Sequence, residues 1–327
     1  MKRSLYEGRD NLYPLEYPEL MAYVDAINNC FWVHTKWSFQ GDTNDFHHIL
    51  GDHERTVAKR SLLAISQIEV KVKTAWGKLY SMFPKPELNA VGATFSESEV
   101  RHERAYAELL VKLKLEEQFR ELEDVPVIKD RIEYLKKYIS GMGSEDKEGH
   151  FLSIILFSLF IENVSLFGQF GIIKVISEQR NCLHDIDNVI METSKEENVH
   201  AQFGIALVKI MREENPEIWT PELVEKIRNA CTKAYNSELA ILNWIFDNKD
   251  LDYLKISDVA NYMIYRYNNS LIDLGIEPVF EKADEKALEI FETFEVEQQA
   301  TIHVDFFHKK NPNYDKFSRN MDTSNLF

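Results

Sequence analysis

Two four-residue segments, each with a glutamate three residues before a histidine, constrain this chain more than any other feature. They are Glu99-Val-Arg-His102 and Glu197-Asn-Val-His200. On an α-helix, positions i and i+3 lie on one face, so each segment presents a carboxylate and an imidazole together. Two such helices, placed face to face, would bring four ligands to one centre. Helical bundles that hold two metal ions complete such a centre with a carboxylate from each of two further helices.

Two other predicted helices each offer one further carboxylate. Glu69 lies beside the apolar stripe of a helix predicted from Glu54 to Met82, where an unpaired charge is costly to bury. Glu162 interrupts an apolar helix predicted from His150 to Ile176. A helix that is apolar on nearly every side is buried, and metal coordination would resolve the conflict between burial and charge.

Ordinary structural interpretations stay open for both carboxylates. Glu69 could be a rim residue paired with Lys73 at i+4. Glu162 could form a buried salt bridge, although Lys174, the nearest basic residue in its helix, lies three turns away. Either interpretation would remove one ligand from the predicted centre.

Asp45 also stands three residues before a histidine, His48, and we interpret these two residues as a surface pair. They lie in a stretch with the composition of a turn. Two roles are open for Glu196. It could accept a hydrogen bond from a ligand histidine, or it could be a solvated charge.

The distribution of glycine and proline predicts an all-α protein. Only 12 Gly and 9 Pro occur in 327 residues, and long tracts with helical periodicity lie between the prolines. Alternating stretches rich in Val and Thr are scarce. A chain of this length can bury a large core as one big domain or two ordinary ones.

Charge and cysteine content restrict partners and compartment. A formal net charge of −16 argues against binding to nucleic acid or to an anionic membrane surface. The cysteines, at positions 30, 182 and 231, are widely spaced, which favours a reducing, cytoplasmic setting. We see no apolar signal segment, and the apolar run 151–161 is shorter than the roughly 20 residues that span a bilayer.

The expected donor set is rich in oxygen and contains no sulfur. Four carboxylates and two imidazoles suit iron or manganese better than zinc or copper, and no cysteine lies near the motifs. We therefore expect two ions of iron or manganese per chain. The ligand types accept either metal.

The order of these residues resembles the radical-generating small subunit of class I ribonucleotide reductase. The resemblance extends from Phe31-Trp32 to the tail that ends in Leu326-Phe327, and its most specific element is Tyr106, one helical turn after His102. It implies a ferritin-like di-metal helical bundle with additional helices over residues 1–310. It also implies a flexible tail, residues 311–327, that docks to the large subunit.

The resemblance implies a metal-binding role for six residues and shows three departures. The implied ligands are Glu69, Glu99, His102, Glu162, Glu197 and His200. The first ligand of the family is commonly Asp, and the spacing from Glu69 to Glu99 is one residue short. Glu196 also replaces a usual Asp.

Further roles follow from the same resemblance. Tyr106 matches the tyrosine that is oxidised to a stable radical, and Trp32 matches a tryptophan that relays an electron. Glu196 stands where an acidic residue links that relay to a ligand histidine. Tyr314 is the candidate for a tyrosine of the mobile tail.

Leu166 and Phe170, one and two turns after Glu162, match apolar residues that shield the radical. The retained ligands speak against the metal-free branch of the family. The tyrosine at position 106 speaks against the branch that stores its oxidising equivalent on a mixed manganese–iron centre.

The implied function is the supply of a tyrosyl radical to a large subunit that reduces ribonucleotides to deoxyribonucleotides. The implied partners are that large subunit and a second copy of the chain, and a flavodoxin-like activase is an open candidate. A di-metal oxidase or oxygenase that acts on an organic substrate would keep the same six ligands. A ferritin-like storage protein would normally be much shorter.

Overall fold

The computed structural model describes residues 3–142 and 145–298. Within these ranges 78% of the residues are helical and no strand occurs, which confirms the all-α prediction. The α-helices, in chain order, are α1 (Met21–Asn29), α2 (Gln40–His48), α3 (Asp52–Gly77), α4 (Leu79–Met82), α5 (Pro86–Lys112), α6 (Glu116–Glu121), α7 (Pro126–Gly141), α8 (Lys147–Ile154), α9 (Phe167–Arg180), α10 (His184–Glu214), α11 (Pro221–Ile245), α12 (Ile256–Asp273) and α13 (Glu285–Leu288).

Short segments of other helix types complete the described fold. A π-helix joins α8 to α9 without a break, and residues 292–298 are again helical. The π-helix is Ile155–Leu166, and the 3-10 turns are Pro18–Leu20, His34–Lys36, Leu122–Asp124 and Glu289–Phe291.

Four long helical elements form the core of the bundle. Helix α3 packs along α5, and α10 packs against both the π-helix and α9. Contacts of α3 with α9 and of α10 with α5 close the arrangement. The predicted ligands lie in the middle of these four elements, while α1, α7, α11 and α12 pack around them.

Local signals explain where the first pair of core helices begins. The carboxylate of Glu54 accepts a hydrogen bond from the N–H of Gly51 (2.9 Å) and so satisfies a donor at the start of α3. Pro86 occupies the first position of α5, where its missing N–H costs nothing and its fixed φ suits a helix.

The predicted helix from Glu54 to Met82 is divided in the structure. Helix α3 ends at Gly77, and α4 starts after Lys78. The N–H of Lys78 lies near the carbonyl oxygens of both Ala75 and Trp76, so the last turn tightens and the chain changes direction. The apolar periodicity continues through this break, which is why the pattern did not reveal it.

The turn predicted around Asp45 and His48 is wrong, because both residues lie in helix α2. Tertiary contacts stabilise this polar helix. The Asp42 carboxylate accepts hydrogen bonds from the N–H groups of Asp185 (3.2 Å) and Ile186 (2.6 Å). These donors belong to the first turn of α10, where a carboxylate is favoured. His48 is exposed, as expected of a surface residue.

The predicted apolar helix is longer and less regular than its sequence suggests. It runs without a break from Lys147 to Arg180, and its centre is the π-helix that carries Glu162. Its length and composition would suffice to cross a membrane, but 89% of its most apolar window is buried within the fold. Burial within the fold, and not the length of the apolar run, therefore identifies this segment as a core helix.

Helix α10 lies very close to the π-helix at Gly204, one turn after His200. A Cβ atom at this position would lie 2.0 Å from the Ser158 Oγ and 2.5 Å from the Ser158 Cβ. Real side chains do not approach so closely, so the missing side chain of Gly204 sets the distance between the helices that carry Glu162 and His200.

We predict that Gly204→Ala lowers the free energy of unfolding by about 1–3 kcal/mol, the usual cost of overpacking a core. Urea unfolding would measure it. Gly41→Ala is the matched control, because its Cβ would meet nothing within 4 Å and alanine favours a helix by up to about 1 kcal/mol. Adding Ser158→Gly to Gly204→Ala should restore much of the loss. An equally stable Gly204→Ala protein would contradict the close approach.

Candidate metal centre

The two Glu-x-x-His segments face each other in the middle of the bundle. His102 on α5 and His200 on α10 both point Nδ1 into a common space between the helices. The Glu99 carboxylate lies between these atoms, with Oε1 3.1 Å from His200 Nδ1 and Oε2 3.3 Å from His102 Nδ1. The Glu197 carboxylate does the same, at 3.1 Å from His102 Nδ1 and 3.2 Å from His200 Nδ1. Both carboxylates therefore lie between the two imidazoles and would hold metal ions bound in this space.

The other two carboxylates lie at opposite ends of this cluster, one beside each histidine. Glu69 Oε2 is 3.8 Å from His102 Nδ1, and Glu162 Oε2 is 3.8 Å from His200 Nδ1. Two sets of ligand atoms, each within 4.8 Å of one another, result: Glu69 with Glu99 and His102, and Glu99 with Glu162, Glu197 and His200. The structure thus brings all six predicted ligands together as two adjoining sites.

The ordinary alternatives for these carboxylates do not occur in the structure. Glu69 is fully buried, and Lys73, its proposed surface partner, pairs with Glu103 instead. Lys174 lies near Asp187 (3.2 Å) and has no contact with Glu162.

Several polar atoms of the cluster are buried without a hydrogen-bond partner. The ligand carboxylates and both histidines have no exposed surface. Oxygen atoms of Glu69, Glu99, Glu162 and Glu197, together with His102 Nδ1, lack partners among the described residues. Buried polar atoms normally have partners, so these atoms are free to bind cations.

Charge balance also fits two divalent cations. The four ligand carboxylates carry four negative charges, and two divalent ions would neutralise them. A fifth buried carboxylate, Glu196, is already paired with Arg101 at 2.8 Å. Since an uncompensated charge is expensive in an apolar interior, the residues fit a centre of two ions.

In the metal-free protein, protons take over part of this compensation. Burial raises the pKa of Glu69 and of Glu162 well above the usual range. Burial acts the same way on Glu99, but the neighbouring imidazoles of His102 and His200 outweigh burial and lower the pKa of Glu99 to about 2. The pKa of His200 rises to about 10, because neighbouring carboxylates outweigh its burial. Metal ions that bind here would displace such protons.

Hydrogen bonds on the outer side of the ligands hold their orientation. His102 Nε2 is 2.7 Å from Glu196 Oε2, so Glu196 is the acceptor behind a ligand histidine and not a solvated charge. His200 Nε2 lies 3.2 Å from Ser98 Oγ, whose own proton is donated to a backbone carbonyl. The indole N–H of Trp76 donates to Glu162 Oε1 at 2.7 Å. Such partners direct the inner ring nitrogens and carboxylate oxygens toward the ions.

Sequence reasoning missed three of these supporting residues: Ser98, Trp76 and Arg101. Ser98 immediately precedes Glu99, and Trp76 lies seven residues after Glu69, two turns along α3. Helical spacing could have suggested Trp76, whereas the packing of α5 against α10 alone brings Ser98 to His200.

Tyr106 is buried beside the centre. Its side chain is 1% exposed and lies one turn after His102 on α5. The hydroxyl lies 3.5 Å from Thr193 Oγ1 on α10, and burial raises the pKa of this phenol above its usual value. Leu166, the last residue of the π-helix, and Phe170, in α9, are fully buried.

Trp32 is linked to His102 through Glu196. The indole N–H donates to Glu196 Oε2 at 3.0 Å, and the same oxygen lies against His102 Nε2. The Trp32 and His102 rings are nearly parallel, at 13°, with centroids 5.9 Å apart. The structure therefore brings together three residues that lie 70 to 164 positions apart in the sequence. Tyr314 and the tail 311–327 lie outside the described residues.

Comparison with known proteins finds relatives that match most of the chain. A family model described as the small chain of ribonucleotide reductase matches residues 9–287. A ribonucleoside-diphosphate reductase small subunit of Invertebrate iridescent virus 6 is 26% identical over 95% of either chain. Its counterpart in Invertebrate iridescent virus 3 is 23% identical, over 96% of this chain and 86% of the relative.

Solved structures share the fold at lower sequence identity. The ribonucleotide reductase R2 subunit from Clostridium botulinum is 15% identical, with a TM-score of 0.79 over 90% of this chain and 98% of its own. The dimanganese(II) NrdF of Streptococcus sanguinis is also 15% identical, with a TM-score of 0.73 over 87% of this chain and 99% of its own.

We predict that His102→Ala or Glu162→Ala abolishes the binding of two metal ions per chain, because each removes a ligand from the cluster. The fold should persist, since removing a buried charge also removes its desolvation cost. Metal content by mass spectrometry and far-UV circular dichroism would measure the two effects.

Glu213→Ala is the matched control for the metal measurement. It removes an exposed carboxylate from α10, the helix that carries Glu197, and should leave metal content unchanged. Full two-metal occupancy in both ligand variants would refute the assignment.

Proposed function

This chain belongs to the ribonucleotide reductase small chain family, and on that basis we propose how its own residues perform the reaction of the family. Membership confirms the predicted function at the level of the small subunit of a class I ribonucleotide reductase. It also confirms the ferritin-like fold, the need for a large subunit and assembly as a dimer. A di-metal oxidase with an organic substrate is not favoured.

The family cofactor is a pair of iron or manganese ions, as predicted. When bound, these ions supply the one-electron oxidising power on which the radical depends. We propose that the ligands are the residues that converge in the cluster: Glu69, Glu99, His102, Glu162, Glu197 and His200. The matching of their charge to two divalent ions supports this assignment.

Tyr106 is the proposed store of the oxidising equivalent. The observation that carries this proposal is a fully enclosed phenol one helical turn from His102. The raised pKa keeps the resting phenol protonated, so Tyr106 loses a proton together with its electron to become a neutral radical. Exclusion of water protects such a reactive species, and we assign this shielding to Leu166 and Phe170.

Trp32 is the proposed outlet for the oxidising equivalent. Its indole is hydrogen-bonded to Glu196, which also holds His102, so these three groups form a connected path toward the surface. Trp32 is 4% exposed, and its chain neighbours Phe31 and Val33 are 57% and 47% exposed, so the indole lies just beneath the surface. We propose that Tyr314 receives the oxidising equivalent next and delivers it to the large subunit.

We propose that the chain consists of two functional parts, one that generates the radical and one that binds the large subunit. Residues 1–310 would form the metal-binding domain, and residues 311–327 would be a flexible tail that docks to the large subunit. An apolar-ended segment that orders on binding loses entropy, so its affinity should be moderate. The proposed location is the cytoplasm. We also propose that the protein has no nucleic-acid or membrane partner, because its net charge of −16 disfavours binding to these anionic surfaces.

A flavodoxin-like activase is a proposed third partner, and the identity of the metal is a separate question. Metal analysis with electron paramagnetic resonance on protein purified from its own host would distinguish iron from manganese. Affinity order alone does not determine metal loading in cells.

We predict that Tyr106→Phe retains the fold and two metal ions but loses both the radical signal and nucleotide reduction. Phenylalanine keeps the ring and its packing but has no hydroxyl proton to release. Electron paramagnetic resonance and a reductase assay with the large subunit would measure these effects. Tyr80→Phe, at a 43% exposed position, is the matched control and should change neither.

Tyr314→Phe should separate storage from transfer, with the radical signal retained and only the reduction lost. If Tyr106→Phe retained turnover, the oxidising equivalent would have to be stored at the metals, and the role of Tyr106 would be refuted.

We predict that deletion of residues 318–327 leaves metal content and radical yield intact but eliminates nucleotide reduction. The deleted segment is the proposed docking peptide, and the metal ligands lie far from it in sequence. A synthetic peptide of residues 318–327 should inhibit the full-length protein by competing for the large subunit. An unchanged rate in the deletion variant would contradict the docking role.

A further inference from the structure

Arg101 is a buried cation beside the proposed relay, at a position of the Glu99–His102 segment to which the sequence analysis assigned no role. Its side chain is 6% exposed, and it immediately precedes His102 on α5. Arg101 Nη2 is 2.8 Å from Glu196 Oε1, and Nη1 is 3.2 Å from Glu196 Oε2. The guanidinium therefore holds both oxygens of one carboxylate, a geometry that fixes orientation as well as charge.

Glu196 needs such an anchor to hold the relay. Its Oε2 accepts hydrogen bonds from Trp32 and His102, while its Oε1 accepts from Arg101. A glutamate side chain has several rotatable bonds, and contacts at one oxygen leave the carboxylate able to turn about them. The contact of Arg101 with the second oxygen removes that freedom.

Trp32 also depends on contacts of this kind for its position. Residues 31–33 have no regular secondary structure, so no helix holds the indole in place. Arg101 Nη1 lies 3.4 Å from the backbone oxygen of Trp32, and the guanidinium lies 5.7 Å from the indole centroid and 4.8 Å from that of Phe31. Arg101 thus contacts the tryptophan through its backbone, its ring and its hydrogen-bonded carboxylate.

The remaining nitrogen of Arg101 is anchored from the outside. Nε lies 3.0 and 3.1 Å from the two oxygens of Glu97, one turn earlier on α5. The Glu97 side chain is 52% exposed. The guanidinium is therefore held between a surface carboxylate and a buried one.

We propose that Arg101 is a positioning residue for electron transfer, which fixes Glu196 and Trp32 so that the indole stays parallel to the His102 ring. The proposal rests on the proposed relay role of Trp32. One electron passes inward as the oxidising equivalent moves outward, and Arg101 itself exchanges neither an electron nor a proton. Its contribution is geometric, and reacting groups displaced by about 1 Å can lose a factor of about 10² in rate.

The first test uses metal-free protein and the fluorescence of Trp32. The chain has five tryptophans, so the Trp32 signal is the difference between each protein and its Trp32→Phe counterpart. In Arg101→Gln, this signal should shift to longer wavelength and become severalfold more sensitive to acrylamide quenching, because the indole loosens. Arg104→Gln, an exposed arginine on the same helix, is the matched control and should change nothing.

The second test uses the metal-loaded subunit with its large subunit. Arg101→Gln should keep two metal ions and the radical signal, while nucleotide reduction falls about 10-fold to 100-fold at equal radical content. Arg101→Lys should lie between this variant and the unmodified protein, since lysine keeps the charge but not the two-point contact. If Arg101→Gln does not fold, Arg101→Lys carries both tests.

Unchanged quenching of Trp32 and unchanged reduction in the arginine variants would overturn the proposal. Failure of the proposed relay would be recognised separately, from the activity of Trp32→Phe. If Trp32→Phe retained full reduction, Trp32 would not be the outlet, whereas the fluorescence of metal-free Arg101→Gln would still report whether Arg101 holds the indole.

Discussion

The burial of four carboxylates and two imidazoles at one point of an apolar bundle is the constraint on which the rest of the structure depends. Isolated charges in such surroundings are very costly. The folded state tolerates this free-energy cost only when a cation, a proton or a hydrogen-bond donor compensates every carboxylate. The bundle accordingly places its ligands in two adjoining sets that share Glu99, and the charge of these ligands equals that of two divalent ions.

Each ligand histidine makes polar contacts on two sides, one toward the metal ligands and one away from them. The inner ring nitrogens of His102 and His200 face the ligand carboxylates, while their outer nitrogens face Glu196 and Ser98. Glu196 in turn requires a cation of its own, which Arg101 provides. The same hydrogen bonds that orient a ligand histidine therefore extend outward to Trp32, so the support of the metal centre and the proposed relay share one network.

Helical periodicity accounts for how much of the site could be predicted. Spacing of i and i+3 placed Glu99 with His102 and Glu197 with His200, and each pair does converge in the fold. Glu162 was identifiable because a carboxylate within an apolar helix requires compensation. The pattern did not indicate the π-helix around Glu162 or the break after Gly77, because both preserve the sequence of apolar residues while changing the local backbone. The helix α2 was missed because contacts of Asp42 with α10 stabilise a polar segment.

The sequence by itself determined the all-α class, the four helices that carry ligands and the residue types offered to the metals, because these depend on local spacing and on the cost of buried charge. Only the tertiary structure decided which nitrogen of each histidine faces inward, which carboxylates lie between the histidines and which groups support them. Trp76, Ser98 and Arg101 reach their partners across helix interfaces. Such contacts depend on how helices rotate and pack against one another, and no spacing along a single helix contains that information.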